Sequence, residues 1–356
     1  MSKADRPDRL ARSASEDGLD LLLITDLTDL RWLTGFNGSS GLAVVGADRR
    51  TFITDFRYVT QASEQVTEFD CECCKLELFD ALPSVIASGS RVGFDESQIT
   101  VKAQQRLVEL LPNCELVAAG ELVKQLRAVK DSGEIKAIAA AAVLADAAFQ
   151  ATIGEGLVGR TERAVALELE HRMRMMGAQR PSFDSIVAAG AHAALPHAQP
   201  RDKEIPADVL VVIDWGAELD GYCSDSTRTV ATGAISDSAR DVYELVLSAQ
   251  IASLDAVTAG IGGREIDSVA RDLITAGGHG DHFGHGLGHG VGMEVHEGPR
   301  LSSSSQATLV AGNVVTVEPG IYLPGELGVR IEDLVVVTAD SNQRLNTLSK
   351  DLLTVA

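Results

Sequence analysis

Two stretches of the chain combine a buried apolar strand pattern with an acidic residue at its end. Residues 209–213 form an unbroken β-branched and apolar run that is followed directly by Asp214. Residues 314–317 form a second such run, which ends at Glu318. Short apolar runs of this kind predict buried strands. A carboxylate at the end of a core strand requires a counterion or a proton, because burial of an unpaired charge is unfavourable.

Each run continues through a turn into a return strand that carries a second acid. The first turn is centred near Asp220, and Asp225 lies on the return strand. The second turn is centred on Gly325, with Glu332 on its return strand. We therefore predict two hairpins, each with a facing pair of acids, so that Asp214 and Asp225 are cross-strand neighbours. Four inward carboxylates repel one another, which indicates more than one divalent cation between them.

The chain before these hairpins divides into two regions of different pattern. A helical pattern at residues 5–17 and a strand pattern at 69–78 belong to an alternating series that is typical of an α/β domain. The pattern then changes to a long alanine-rich helix at residues 134–152. We predict an N-terminal α/β domain over residues 1–127 and a second domain over residues 128–356.

The second domain repeats one order of elements. Its first half runs from a long helix through a second helix to the aspartate hairpin. Its second half, from Asp237, runs from a long helix through a second helix and a histidine-rich loop to the glutamate hairpin. Such a repeat predicts an α+β domain with pseudo-two-fold symmetry. Both hairpins are expected in one central sheet, with the four acids in the middle.

Five of the eight histidines lie in the glycine-rich segment 278–299. Glycine allows the backbone to approach a site closely, so we interpret the segment as part of a metal and substrate site rather than a flexible surface turn. One nitrogen ligand beside four carboxylates suits Mn²⁺, Co²⁺ or Zn²⁺ better than a soft-thiolate metal site. His197 has the pattern of a surface loop residue, and only its position before the Asp214 hairpin makes it a candidate.

The composition of the chain limits which binding partners and which cellular location we expect. The 31 basic and 51 acidic residues give a net charge of -20, which disfavours nucleic acid and anionic membrane surfaces. No apolar run reaches the roughly 18 residues that span a bilayer, and the polar start is not a signal peptide. We therefore expect a cytoplasmic protein that contacts neither nucleic acid nor membrane.

The five cysteines do not predict a disulfide framework, since their number is odd and the chain is long. Cys71, Cys73 and Cys74 cluster in one short stretch. No second cysteine or histidine pair lies at zinc spacing, so we interpret the stretch as a strand with reduced thiols rather than a soft-metal or redox site.

Four segments together resemble one known family. They are SFDSIVAAG…ALPH, VVIDWGA…SDSTRT, HGLGHGVGMEVHE and TVEPGIY…GVRIED. They are similar to the dinuclear-metal peptidases of the methionine aminopeptidase, aminopeptidase P and prolidase clan, and above all to bacterial and archaeal Xaa-Pro peptidases. The resemblance covers nearly the whole chain. It implies a small creatinase-like N-terminal α/β domain and a C-terminal pita-bread α+β domain.

The resemblance also implies an activity and a set of ligands. The expected reaction is hydrolysis of the bond between an N-terminal residue and proline, by an Xaa-Pro dipeptidase or an Xaa-Pro aminopeptidase. Two divalent metal ions per chain are implied, with manganese as first choice and cobalt or zinc as alternatives. In this pattern Asp214 binds one ion, Asp225 and Glu332 bridge both, and His289 and Glu318 complete the shell of the other.

The catalytic roles follow from this site. A hydroxide that bridges the two ions is expected to attack the scissile carbonyl, with Glu318 accepting its proton and passing it to the leaving nitrogen. His296, and with less support His197, is expected to donate to the carbonyl oxygen or the adjacent amide. Arg330 precedes Glu332 by two residues, and we expect it to hold the ligands in place.

Alternatives remain open at this level. The second candidate function is a catalytically inactive peptide-binding module on the same fold, although the complete ligand pattern argues against it. A structural protein with a surface acidic patch requires the four acids to be exposed and apart. Homodimer formation is expected from the resemblance alone. Trp215 is bulkier than the family pattern at the residue after Asp214, and we expect it to alter the site wall.

Overall fold

The N-terminal unit, which ends at Arg127, alternates between short helices and strands. The computed structural model describes residues 5–75 and 77–355. The elements of this unit are α1 (Arg6–Glu16), β1 (Leu21–Ile24), α2 (Leu27–Thr34), β2 (Leu42–Gly46), β3 (Arg49–Asp55), α3 (Val59–Gln65), β4 (Asp70–Cys74), α4 (Leu82–Val85), β5 (Arg91–Phe94), α5 (Val101–Leu110), β6 (Glu115–Ala118) and α6 (Glu121–Ala128).

One mixed sheet organises this unit, in the order β4-β3-β2-β1-β5-β6. The pairs β1–β2 and β2–β3 are antiparallel, whereas β3–β4, β1–β5 and β5–β6 are parallel. The central strands are apolar and buried because helices cover them. The alternating pattern in the sequence therefore does correspond to an α/β unit.

The strand expected over residues 69–78 is shorter than its apolar pattern suggests. β4 ends at Cys74, and a 3-10 helix spans Leu78–Ala81. Leu78 and Phe79 pack against the core of the unit from this helix rather than from a strand. Cys71 and Cys73 are exposed on β4, which is an edge strand, and both carry free thiols.

The second unit begins at Ala128 and contains two successions of paired helices and strands. The first consists of α7 (Ser132–Ile153), α8 (Glu162–Met175), β7 (Arg180–Pro181), β8 (Ile186–Ala189), a 3-10 helix (Gly190–Ala194), β9 (Leu210–Trp215), β10 (Ala217–Leu219), β11 (Tyr222–Cys223) and β12 (Ser226–Ala231). The second consists of α9 (Asp237–Ala256), α10 (Gly263–Ala276), a 3-10 helix (Gly280–His282), β13 (Gly288–Gly290), β14 (Glu297–Leu301), β15 (Val314–Val317), β16 (Gly320–Leu323), β17 (Leu327–Arg330), β18 (Asp333–Val337) and β19 (Asn342–Arg344).

The two successions match in detail at the start of their second helices. An isolated antiparallel bridge joins Thr161 to Glu204 just before α8. The corresponding bridge joins Gly262 to Thr308 just before α10. Equivalent pairings at equivalent places support the internal repeat that the sequence predicts.

The two hairpins do not share one sheet, contrary to expectation. β9 and β12 belong to the sheet β12-β9-β8, whereas β15 and β18 belong to the sheet β14-β13-β15-β18-β19. The N–H of Glu332 donates to the carbonyl of Thr227 over 3.1 Å, so the sheets meet at the acidic residues. Separate apolar cores lie beneath each half.

Helix α7 is long and apolar enough to cross a membrane by length and composition. In the folded unit, however, about half of it faces the interior, and Ile138, Ala142 and Phe149 are fully buried. Its start is fixed by Asp131, whose side chain accepts from the N–H groups of Gly133 and Glu134. These contacts are those of a core helix in a globular unit.

Candidate metal and peptide-binding site

The register of the aspartate hairpin differs from the prediction. Asp214 lies opposite Thr227 on β12, and Trp215 lies opposite Ser226. Asp225 is therefore a diagonal neighbour of Asp214 on the same face rather than its direct partner. The observed register is centred between Asp220 and Gly221, as Leu219 pairs with Tyr222 beside this two-residue turn. The predicted pairing of Asp214 with Asp225 was centred one residue too early.

The register of the glutamate hairpin agrees with the prediction. Val317 pairs with Asp333 between β15 and β18, and Gly320 pairs with Arg330 between β16 and β17. Glu318 and Glu332 occupy the position between these pairs and thus face each other. The two strand pairs form one long hairpin that is interrupted at the acids.

The acids of both hairpins converge in the folded unit. Carboxylate oxygens of Asp214, Asp225 and Glu332 all lie within 4.8 Å of one another. Burial, repulsion by Glu332 and repulsion by Asp214 raise the pKa of Asp225 well above its ordinary value. Burial and the neighbouring Glu318 raise the pKa of Glu332 in the same way. The acids are buried and lie close together. This excludes the alternative of a structural protein whose acids form a surface patch.

His289 completes this cluster from β13. Its Nδ1–H donates to the carbonyl of Gly290 over 3.1 Å, which leaves the Nε2 lone pair facing the acids. Nε2 lies 3.3 Å from Oε1 of Glu318 and 3.6 Å from Oδ2 of Asp225. A lone pair that faces carboxylate oxygens at this distance requires a proton or a cation between them.

The donor set fits divalent cations. Oδ1 of Asp214 and Oε1 of Glu332 are buried and have no hydrogen-bond partner in the described part of the chain. Such atoms are unfavourable unless an ion or water satisfies them. Carboxylate oxygens with one imidazole nitrogen are the ligands that manganese, cobalt and zinc accept. The metal binding expected from the sequence is therefore compatible with this geometry.

Glycine brings His289 into the cluster. A Cβ at Gly288 would lie 2.1 Å from the carbonyl oxygen of Thr316 on the neighbouring strand β15. Only glycine allows β13 to approach β15 so closely. The Thr316 hydroxyl in turn accepts from the N–H of His289 over 3.1 Å and donates to Glu318 over 3.0 Å.

A cleft of about 570 Å³ opens above the cluster, a size typical of small-ligand sites. Its wall includes all seven histidine and acid candidates as well as Arg330: His197, Asp214, Asp225, His289, His296, Glu318 and Glu332. His197 and His296 are exposed on this wall. Burial and the nearby His289 lower the pKa of His296 to about 4, so its imidazole is neutral at neutral pH.

Arg330 is buried beside the acids and links several elements. Its guanidinium donates to Oδ2 of Asp214 over 2.6 Å and to the hydroxyl of Thr227 over 3.0 Å. Thr227 in turn donates to Oε2 of Glu332 over 2.7 Å. Arg330 also donates to the carbonyl of Pro196, next to His197. These contacts support the ligand-holding role expected for Arg330.

A hydrogen-bond chain that the sequence did not indicate extends from Arg330 to His285. Arg330 Nη1 donates to the hydroxyl of Tyr322 over 2.8 Å. This hydroxyl donates to Nε2 of His285 over 2.9 Å, and Nδ1–H of His285 donates to the carbonyl of Gly286. His285 and Tyr322 were missed because their roles depend on contacts between β16, β17 and the histidine-rich loop. The available signal was the position of His285 four residues before His289.

Comparison with known proteins identifies the family of this site. Residues 136–339 match the model of metallopeptidase family M24, and residues 6–129 match the creatinase/prolidase N-terminal domain. The chain belongs to metallopeptidase family M24. The Xaa-Pro dipeptidase of Pyrococcus furiosus is 35% identical over 98% of this chain and 99% of its own length.

Solved structures of the family have the same two-domain architecture. An Xaa-Pro dipeptidase from Bacillus anthracis has a TM-score of 0.96 at 38% identity, covering 99% of this chain and 100% of the other. An X-Pro aminopeptidase from Thermotoga maritima has a TM-score of 0.92 at 36% identity, again covering 99% and 100%. The predicted creatinase-like and pita-bread fold and the predicted Xaa-Pro metallopeptidase are thereby confirmed. Nothing in these comparisons supports an inactive binding module.

Trp215 does not alter the site wall of this M24 peptidase, contrary to expectation. Its side chain is fully buried, stacks on Phe149 at 4.1 Å and donates from Nε1 to the carbonyl of Ala145 over 2.9 Å. Successive side chains of a strand point to opposite faces, so Trp215 faces α7 while Asp214 faces the cleft.

Proposed function

We propose that this M24 peptidase is an Xaa-Pro dipeptidase and that Asp214, Asp225, His289, Glu318 and Glu332 hold its two divalent ions, with manganese as first choice. One observation favours dipeptides over longer peptides. Arg300 lines the cleft with an exposed side chain that makes no ion pair within the described residues. A free guanidinium is suited to a carboxylate, and in a dipeptide the C-terminal carboxylate directly follows the cleaved bond.

The residues around the ions have distinct tasks in this proposal. When bound, the ions would polarise the scissile carbonyl and lower the pKa of a water molecule. Burial raises the pKa of Glu318, but the neighbouring His289, His285 and Arg330 together outweigh it and lower the pKa to about 2. Glu318 is therefore ionised at neutral pH and can accept a proton on one carboxylate oxygen. It then transfers this proton to the proline nitrogen, which needs one in order to leave.

The two exposed histidines of the cleft complete the reaction. His296 is neutral at neutral pH and donates an N–H to the carbonyl oxygen as charge develops there. His197 also lines the cleft and donates to the substrate as well. A proline substrate has no N–H at the cleaved bond, so selectivity does not depend on a donor from the substrate backbone.

Further expectations accompany this proposal. A homodimer and a cytoplasmic location remain proposals, supported by the family resemblance and by the composition. Manganese is supported only by the oxygen-rich ligand set with one nitrogen.

Three substrates test the dipeptide preference: an Xaa-Pro dipeptide, its C-terminal amide, and the tripeptide Xaa-Pro-Gly. We expect kcat/KM for the dipeptide to exceed the other two, since only the dipeptide places a carboxylate next to the proline at the cleaved bond. Arg300→Met is expected to lower kcat/KM for the dipeptide about 10-fold or more and to leave the amide unchanged. Arg264→Met provides an exposed control outside the cleft wall. Preferential cleavage of the tripeptide would identify an aminopeptidase instead.

A further inference from the structure

A buried ion pair connects the start of the second unit with the segment that carries His296. Nζ of Lys130 lies 3.1 Å from Oε2 of Glu297, and the two side chains are only 1% and 6% exposed. We propose that Lys130 and Glu297 are positioning residues that place His296 for peptide hydrolysis. The proposal depends on the peptidase activity of the chain and is independent of the preference for dipeptides.

His296 depends on its backbone for its position. Within the described residues its side chain makes no hydrogen bond, and its ring contacts that of His289 edge to face, with centroids 4.5 Å apart. A side chain that is exposed in an open cleft and lacks a hydrogen-bond partner is free to change rotamer when its backbone shifts. The conformation of the segment that precedes Glu297 therefore determines where the imidazole points.

The carboxylate of Glu297 organises this segment. Oε1 accepts from the N–H of Glu294 over 3.1 Å, while Oε2 faces Lys130. The N–H of Gly292 donates to the carbonyl of Glu294 over 3.0 Å. A Cβ at Gly292 would lie 2.6 Å from Oε2 of Glu297, so the backbone at Gly292 packs directly against the carboxylate.

Lys130 itself is fixed to the strand that leads to the acids. Its N–H donates to the carbonyl of Gly312 over 2.9 Å. Nδ2 of Asn313 donates to the carbonyl of Ala128 over 2.8 Å, and β15 begins directly after Asn313. The backbone at Lys130 is thus held in place from the side of the glutamate hairpin.

The other side of the segment is attached to the aspartate hairpin. The N–H of Cys223 donates to the carbonyl of Gly292 over 2.8 Å, and Cys223 precedes Asp225 by two residues. The segment is therefore located relative to both pairs of acids. Removal of Lys130 takes a charged hydrogen-bond partner away from the buried carboxylate of Glu297, which weakens the contact that locates this segment. A shift of the segment would displace His296, which is the adjacent residue in the chain.

Steady-state kinetics on an Xaa-Pro peptide provide the test, after the wild-type activity has been measured. Lys130→Met is expected to lower kcat about 100-fold, because a displacement near 1 Å of a reacting group has an effect of this size. The KM and the bound metal per chain are expected to stay within about twofold, since the ion pair contacts neither the acids nor His289. Lys130→Arg is expected to restore much of the activity, as it retains the buried positive charge. Lys136→Met, an exposed lysine on α7, is the matched control and is expected to behave as wild type.

A double-mutant cycle with His296→Ala separates positioning from a general structural effect. If Lys130 acts through His296, then Lys130→Met has no further effect on kcat in the His296→Ala background. Multiplicative effects of the two substitutions, wild-type kcat in Lys130→Met, or loss of bound metal would each overturn the proposal. If Lys130→Met does not fold, Glu297→Gln takes its place, because it removes the charge and retains the shape of the side chain. A double-mutant cycle of Glu297→Gln with His296→Ala then tests whether the ion pair acts through His296. We expect the ratio of dipeptide to tripeptide turnover to stay unchanged in these variants. Substitution of Arg300 should change this ratio, so the two tests can be told apart.

Discussion

Arg330 donates from Nη2 to Oδ2 of Asp214 over 2.6 Å and so joins the two hairpins at the acidic cluster. Burial raises the pKa of Asp214 and the guanidinium opposes this effect, so Arg330 helps to keep the carboxylate ionised. Arg330→Met is expected to reduce metal affinity or turnover about 10- to 100-fold, as is typical for partners of metal ligands. Titration of the metal-free protein with Mn²⁺, followed by activity, measures both quantities. Arg240→Met, exposed on α9, is the control. Wild-type affinity and turnover in Arg330→Met would exclude this role.

Metal binding is expected to release protons. Burial and repulsion by neighbouring carboxylates raise the pKa of both Asp225 and Glu332 well above the ordinary value, so the metal-free cluster retains protons to a higher pH than free carboxyl groups do. Cations must displace these protons, and metal affinity should therefore rise with pH. Calorimetry in two buffers of different ionisation enthalpy measures the release. Buffer-independent heats, or an affinity that falls as the pH rises, would contradict the assignment.

The same two groups affect the stability of the metal-free protein. Their pKa values are higher in the folded state than in the unfolded chain, so the folded state binds more protons. Their contribution to the free energy of unfolding is fully present below the ordinary carboxyl pKa and is lost as the pH rises through the raised values. Bound metal reverses this dependence, because ligands must be deprotonated. The stabilisation by Mn²⁺ should accordingly be larger at pH 8 than at pH 6 in thermal unfolding.

Glu162 anchors the loop that carries His197. Its buried carboxylate accepts from the N–H groups of Ala189 and Arg201, from the Arg201 guanidinium and from Nδ1 of His192. Burial raises its pKa, but the hydrogen bonds from Arg201, Ala189 and His192 together outweigh burial and the pKa is lowered. Glu162→Gln is expected to lower the free energy of unfolding by about 2 kcal/mol above pH 5.

The pH dependence of this difference provides a second observable. The stability supplied by ionised Glu162 is present above the unfolded carboxyl pKa and is lost as the pH falls through the lowered folded pKa. The difference between wild type and Glu162→Gln should therefore shrink on acidification below about pH 4.5. Urea unfolding at several pH values measures it, with the exposed Glu244→Gln as control. A difference that does not depend on pH would show that the charge of Glu162 is not involved.

Trp215 is expected to contribute to stability but not to catalysis. Trp215→Phe keeps a ring against Phe149 but removes the hydrogen bond to Ala145 and part of the buried volume. We expect a loss of about 1 to 3 kcal/mol in the free energy of unfolding, with kcat and KM unchanged. Urea unfolding and steady-state kinetics on the same preparation measure both. A changed KM at unchanged stability would instead indicate contact with the substrate.

The sequence alone determined the fold class, the internal repeat and the residues of the acidic cluster. These depend on local patterns: apolar runs that end in an acid, turns between them, and glycines beside histidines. The resemblance carried by the same motifs supplied the family and the Xaa-Pro peptidase activity. Local periodicity is sufficient for such conclusions because it decides which face of a strand is buried.

Only the tertiary structure decided the contacts between distant segments. The separation of the two hairpins into different sheets depends on packing against two cores. The orientation of Trp215 away from the cleft depends on helix α7, which accepts the Trp215 hydrogen bond at Ala145. The Tyr322–His285 chain and the Lys130–Glu297 ion pair join residues 37 and 167 positions apart. Neither pair can be recognised from the local sequence. The partner of a buried polar group depends on which residues the fold brings next to it and not on their spacing along the chain.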